Sequence, residues 1–186
     1  MNHLINEFLD TIVVDTTDGW ETSKFNAWQK QGNKAKGTTG ENYIKYFLDT
    51  QGYLNVVKVG GCRDHDLKSD SQNIEVKTSF AMKNDGKIIH DSWKFQHIGF
   101  HKDWEYIVFI GINPPLSMGR VRRGWRDNPK DFNVAWFTRE QLENFRNEEL
   151  LTPQQGGKKG ENDDWWTTGS FFKDINYGVG YENIPF

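Results

Sequence analysis

A chain of 186 residues can bury one sizeable core and is too short for two comfortable domains. Its formal net charge of -3 decides nothing about nucleic acid, because clustered carboxylates lower the total even where a surface is locally basic. The single cysteine, Cys62, excludes an internal disulfide and fits a reducing cytoplasm; no signal peptide is visible, and no apolar stretch approaches membrane-spanning length.

In chain order, Leu4, Ile5, Phe8, Leu9 and Ile12 recur at helical spacing and predict an N-terminal amphipathic helix. Residues 29–39, rich in Gly and Lys, read as a loop. Thr38-Thr39-Gly40-Glu41 then resembles a capping box opening a second helix, whose stripe is Tyr43, Ile44, Phe47 and Leu48 and whose end is Gln51-Gly52. Strands are expected at 54–59, 65–68 and 74–79, a turn at 84–86 and a short helix at 92–101. The continuous apolar run 106–112 is the best candidate for a buried central strand, and Pro114-Pro115 ends it. A basic loop precedes a strand at 132–137, and Thr138-Arg139-Glu140-Gln141 is a second capping box opening a helix through Asn147. From Thr152 onward, over about 152–186, the chain is Gly-, Asp- and Trp-rich without period and is expected to be irregular. Helices interleaved with strands predict an α/β fold: one domain over 1–186, with a mixed central sheet flanked by helices.

The strongest chemical signal is Asp66-Leu67, followed after a polar turn by Ile74-Glu75-Val76-Lys77. Side chains alternate along a strand, so Glu75 and Lys77 share one face and Ile74 and Val76 the other. A hairpin would bring the Asp66 carboxylate beside Glu75, with Lys77 one pleat further on. Two carboxylates and a lysine suit a divalent cation bound against a phosphate. Asp64 lies on the same face as Asp66 and is its main rival.

This pattern resembles the PD-(D/E)xK nuclease superfamily, whose motif is Asp, a variable gap, then Glu-x-Lys on the next strand. The resemblance covers about residues 37–112. It implies a restriction-endonuclease-like fold: a helix, a three-strand meander bearing the site, a crossover helix and a further strand. It also implies Mg2+, for which Mn2+ can substitute, held by Asp66, Glu75 and the Val76 carbonyl, with Lys77 on the attacking water or scissile phosphate. Many relatives place a glutamate on the first helix that reaches the metal, a part open to Glu41, which could equally serve only as a cap. Gln96 resembles a glutamine that some branches place beside the lysine; the alternative is a surface helix residue. His97 and His101 would share one helical face, but no second close pair accompanies them and a structural zinc site with Cys62, His65 or His90 is not expected.

Arg120, Arg122, Arg123 and Arg126 put four cations into seven residues around Trp125, and Lys83 and Lys87 flank another turn. Arginine forks suit phosphates and guanine edges, and tryptophan can stack, whereas a charge run by itself is usually a solvated loop. Lys158-Lys159 is a weaker candidate for the same role. With the hairpin upstream, the expected activity is Mg2+-dependent hydrolysis of double-stranded DNA by a homodimer of restriction or homing type. A junction or repair nuclease and a non-catalytic nucleic-acid-binding module on the same fold are the alternatives.

Overall fold

A computed structural model describes residues 2–9, 11, 20, 22–53, 55–59, 64–70, 72–85, 87–121, 130–154 and 164–169. The fold is mixed α/β, with a five-stranded central sheet in the order β1-β2-β3-β7-β9. Its strands are β1 (Val57–Lys58), β2 (Leu67–Ser69), β3 (Gln72–Phe80), β7 (Tyr106–Ile112) and β9 (Phe132–Thr138). β1, β2 and β3 form the expected antiparallel meander, β3 pairs parallel with β7, and β7 pairs antiparallel with β9. Residues 107–112 are all buried, as a continuous apolar run inside a sheet requires.

Register divides the sheet into two faces. Val76 and Thr78 lie opposite Val108 and Ile110; Glu75, Lys77 and Ser79 lie opposite Ile107, Phe109 and Gly111. The first face receives α3 (Asn33–Thr50), which buries Gly40, Tyr43, Ile44, Phe47 and Leu48. Those positions recur at helical spacing, so one stripe meets the sheet. α1 (Asn2–Leu9) and α2 (Asn26–Lys30) pack around α3, with Phe8 edge-on to Tyr43 at 5.1 Å and Trp28 fully buried. The second face receives Trp93 and Phe95 of the segment around β6 (Lys94–Gly99). Trp93 closes over Gly111, where any Cβ would fall 2.4 Å from the indole. On β9, Phe137 meets Phe145 of α4 (Arg139–Asn147) edge-on at 5.8 Å.

Several sequence expectations change. α3 begins at Asn33, not at Thr38, so 33–39 is helix and the capping box at Thr38 does not exist. Gly37 and Gly40 weaken helix propensity, but Gly40 permits close approach to β3: a Cβ there would lie 2.0 Å from Thr78 Oγ1. The helix expected at 92–101 is instead β6, and among the described residues the crossover from β3 to β7 carries no helix. It runs through the hairpin β4 (Lys83–Asn84) and β5 (Lys87–Ile89), then β6. The segment expected to be irregular contributes β10 (Thr152–Pro153) and β11 (Asp164–Thr168), which complete a second sheet in the order β10-β11-β6. A third sheet, β4-β5-β8, takes in β8 (Gly119–Arg120). The capping box at Thr138 is present, the hydroxyl accepting from the Gln141 amide at 3.2 Å while Gln141 Oε1 accepts from the Thr138 amide at 2.9 Å. Among the described residues no helix is long and apolar enough to cross a membrane.

Candidate active site

β2 pairs with β3 only as far as Leu67 opposite Ile74, so among the described residues no strand pairs with β3 beyond Ile74 on the β2 side. Asp66 stands at that point. Its amide donates to the Ile74 carbonyl at 3.0 Å, and its carboxylate Oδ2 accepts from the Val76 amide at 2.8 Å. The side chain thus takes the place of the next strand residue. In a strand the N–H and C=O of one residue point to the same side, so the Val76 carbonyl faces the same edge.

This edge opens into a cavity of about 540 Å³ between α3 and β6. Asp66, Val76 and Lys77 line it from the sheet, Glu41 from α3, and Lys94 and Gln96 from β6. Five of the positions singled out in the sequence therefore share one concave surface. Glu75 is not part of the lining. Its carboxylate is 3% exposed and takes both the Lys77 and the Lys102 ammonium on the same oxygen, Oε1, Lys102 at 2.8 Å. Oε2 is used by neither lysine. The rival Asp64 is exposed and lies outside the cavity.

Electrostatics bind the group together. Burial raises the Asp66 carboxyl to a pKa of about 6; the negative charge of Glu75 adds to the rise, the Val76 amide and Lys77 oppose it, and Glu41 adds a smaller rise. A carboxyl held that high beside two further carboxylates is a place where a cation lowers the free energy. Glu41 makes no cap. Its Oε2 pairs with Lys58 Nζ at 2.8 Å, and the same ammonium donates to Asn42 Oδ1 at 2.9 Å.

Lys102 was not singled out by sequence reasoning, since it lies 27 residues from Glu75 and in no motif. Its loop is held by Arg139 at the start of α4, whose guanidinium donates to the carbonyls of Phe100, Lys102 (2.7 Å) and Trp104 (3.1 Å). Only the folded chain joins that arginine to this lysine.

The basic residues divide. Lys83, Lys87 and Arg120 are exposed on the small sheet β4-β5-β8. Asn84 faces Lys87 and Ile89 faces Arg120, so Lys87 and Arg120 share one face while Lys83, opposite Ile88, takes the other. Arg122, Arg123, Trp125 and Arg126 lie outside the described residues, as do Cys62 and Lys158-Lys159.

The histidines are dispersed. His65 Nδ1 pairs with Asp103 at 2.8 Å, His90 is buried under Gly119, and His97 and His101 approach Asp164 at 3.3 and 3.9 Å. Among the described residues no group of three or more His, Cys, Asp or Glu is arranged to hold a metal. A cation in the Asp66 cavity would therefore rest on two carboxylates, a backbone carbonyl and oxygens from outside the chain. That is how Mg2+ is commonly held, with one or two carboxylates plus substrate phosphate and water. The hard oxygen donors of the lining and the raised Asp66 carboxyl fit such an ion. No protein-family model matches the chain, and no curated protein matches it by sequence.

Proposed function

We propose that this chain is a Mg2+-dependent endodeoxyribonuclease with a restriction-endonuclease-like fold, hydrolysing phosphodiester bonds of DNA. One observation carries the reading: Asp66, Val76, Lys77, Glu41 and Gln96 line a single cavity, with Glu75 directly behind Lys77. A non-catalytic module would not need the Asp, the Glu and the Lys gathered at one strand edge.

Asp66, Glu75 and the Val76 carbonyl would hold the cation, for which Mn2+ can substitute. When bound, it stabilises charge developing on the phosphoryl oxygens and makes water a stronger nucleophile near neutral pH. Lys77 sits at the cavity wall with its ammonium fixed by Glu75, so it can orient the attacking water or hold a phosphate oxygen. Lys102 shares the Glu75 oxygen and offsets the negative charge buried behind the site. The Gln96 carboxamide can donate to a phosphate oxygen, and Glu41, held by Lys58, adds negative charge on the helix side. Lys87 and Arg120, with the arginines that follow in the sequence, supply cations for the DNA backbone. Cutting both strands of a duplex asks for two such sites, which a homodimer provides.

The experiment is incubation of the purified chain with long duplex DNA in Mg2+, Mn2+ or EDTA, followed by sequencing of the fragment ends. Cleavage that needs the metal, and that disappears in Asp66→Asn and Lys77→Ala, is the expected result. Equal cutting by parent and both variants would remove this cavity as the active site.

A further inference from the structure

A second cavity of about 290 Å³ adjoins the first, walled by Lys94, Gln96, Thr152, Pro153, Gln154 and Trp166. Lys94 and Gln96 line both cavities, so the two share a wall. Its volume lies at the lower end of small-molecule sites, with room for a flat heterocycle.

The way β11 meets β6 points Trp166 into it. Pairing with β6 shifts register between Trp165 and Thr167: Trp166 stands opposite two residues of β6, Gln96 and His97, so the extra residue of this bulge lies on β6, where His97 has a φ of 57°. Bulges re-aim side chains and concentrate beside active sites. Trp165 packs against the core with the Arg146 guanidinium 5.9 Å from its ring, and Thr167 is buried. Trp166 faces the cavity, half-buried, opposite Thr152 and with Lys94 Nζ 4.6 Å from its ring centre. The Gln154 carboxamide is fixed by the His97 amide, which donates to its Oε1 at 2.9 Å. An aromatic ring with an ammonium over it and one oriented carboxamide are elements that receive a nucleobase and its phosphate.

We propose that this cavity binds an unpaired nucleobase of the strand being cut. The base stacks on Trp166, and Lys94, between the two cavities, meets the phosphate that links this base to the scissile one. The inference rests on the nuclease reading and adds that a base leaves its stack before the bond beside it is cut, so single strands and duplexes with an unpaired base are preferred and a paired duplex is cut only after a base is extruded.

The test uses the full chain in Ca2+, to suppress cleavage, with three fluorescent DNAs: a paired duplex, the same duplex with one unpaired thymine, and the single strand. The parent should prefer the last two. Trp166→Ala should weaken binding to these by roughly 5- to 150-fold, the range that loss of one base–aromatic stack produces, with paired-duplex affinity unchanged. Trp166→Phe should keep most of the affinity. Replacing the unpaired thymine by iododeoxyuridine and irradiating the parent should give an adduct that maps to Trp166, a readout that needs no variant to fold. An adduct elsewhere, or Trp166→Ala binding unpaired DNA as the parent does, overturns the subsite. Mg2+-dependent cutting without the Trp166 adduct removes the subsite and keeps the nuclease. The adduct without any cutting keeps the base site and removes the nuclease.

Discussion

Replacing Asp66 by Asn should make the metal-free protein more stable above pH 6 while ending catalysis. In the unfolded chain Asp66 loses its proton near the ordinary value of 3.8; in the folded chain burial and the Glu75 charge delay that loss to about 6. Between these values the folded state holds more protons than the unfolded one, so raising the pH destabilises it. Below 3.8 no penalty exists, and above 6 it is complete. The difference between about 6 and 3.8 corresponds to up to about 3 kcal/mol. Asparagine never ionises, and its side-chain oxygen can still accept the Val76 amide, so the variant escapes the penalty without losing that bond. Urea denaturation of parent and variant in EDTA, from pH 4 to pH 8, measures the gap between the two stability curves. Their difference isolates Asp66 from the other groups that titrate. The gap should open as pH rises through 4 to 6 in favour of Asp66→Asn and level off near pH 7. Added Mg2+ should then stabilise the parent at pH 8 and leave the variant unmoved, since only the parent relieves carboxylate repulsion by binding it. A gap of the same size at pH 4 and pH 8 would refute the reasoning.

Lys77→Ala should lower cleavage by roughly 10²–10⁴-fold, the range of a positioned acid–base group, with DNA affinity in Ca2+ much less affected; parental single-turnover rates would remove its role. Lys102→Met leaves the buried Glu75 with one counter-ion instead of two and should cost about 1.5–3 kcal/mol in urea at pH 7, the range for losing a hydrogen bond to a charged group. Gly40→Ala drives a methyl into Thr78, an overpacking cost of about 1–3 kcal/mol that outweighs the roughly 1 kcal/mol gained by removing a helical glycine. Thr78→Ala in that background should recover most of the loss, and thermal melts of the single and double variants measure the coupling. Lys87→Ala and Arg120→Ala should each shallow the salt dependence of DNA binding by about one phosphate contact, read from a salt titration, without moving the cleavage rate at saturating DNA.

The chain alone determines which strands carry the chemistry. Alternation in Ile74-Glu75-Val76-Lys77 places Glu75 and Lys77 on one face because strand geometry allows nothing else, and the observed register agrees. The polar turn between Leu67 and Ile74, the apolar run 106–112 and the capping box at Thr138 are likewise local codes, read within one hairpin, one strand or one helical turn. Tertiary structure decides where local preference is weak or divided. Residues 33–39 are helical although Gly37 and Gly40 disfavour it, because Gly40 lets α3 settle against Thr78. Residues 94–99 are a strand because β11, some 70 residues later, pairs with them. Their alternation, with Trp93 and Phe95 inward and Lys94 and Gln96 outward, breaks at His97, whose φ of 57° turns Ile98 into the core. The same long-range contacts complete the site. Glu41 faces Lys58 only once α3 lies along the sheet, and Lys102 reaches Glu75 only once Arg139 gathers its loop. A short period reports the backbone of its own segment; a contact between distant segments depends on which surfaces the whole chain can bury together, and no window of sequence carries that information.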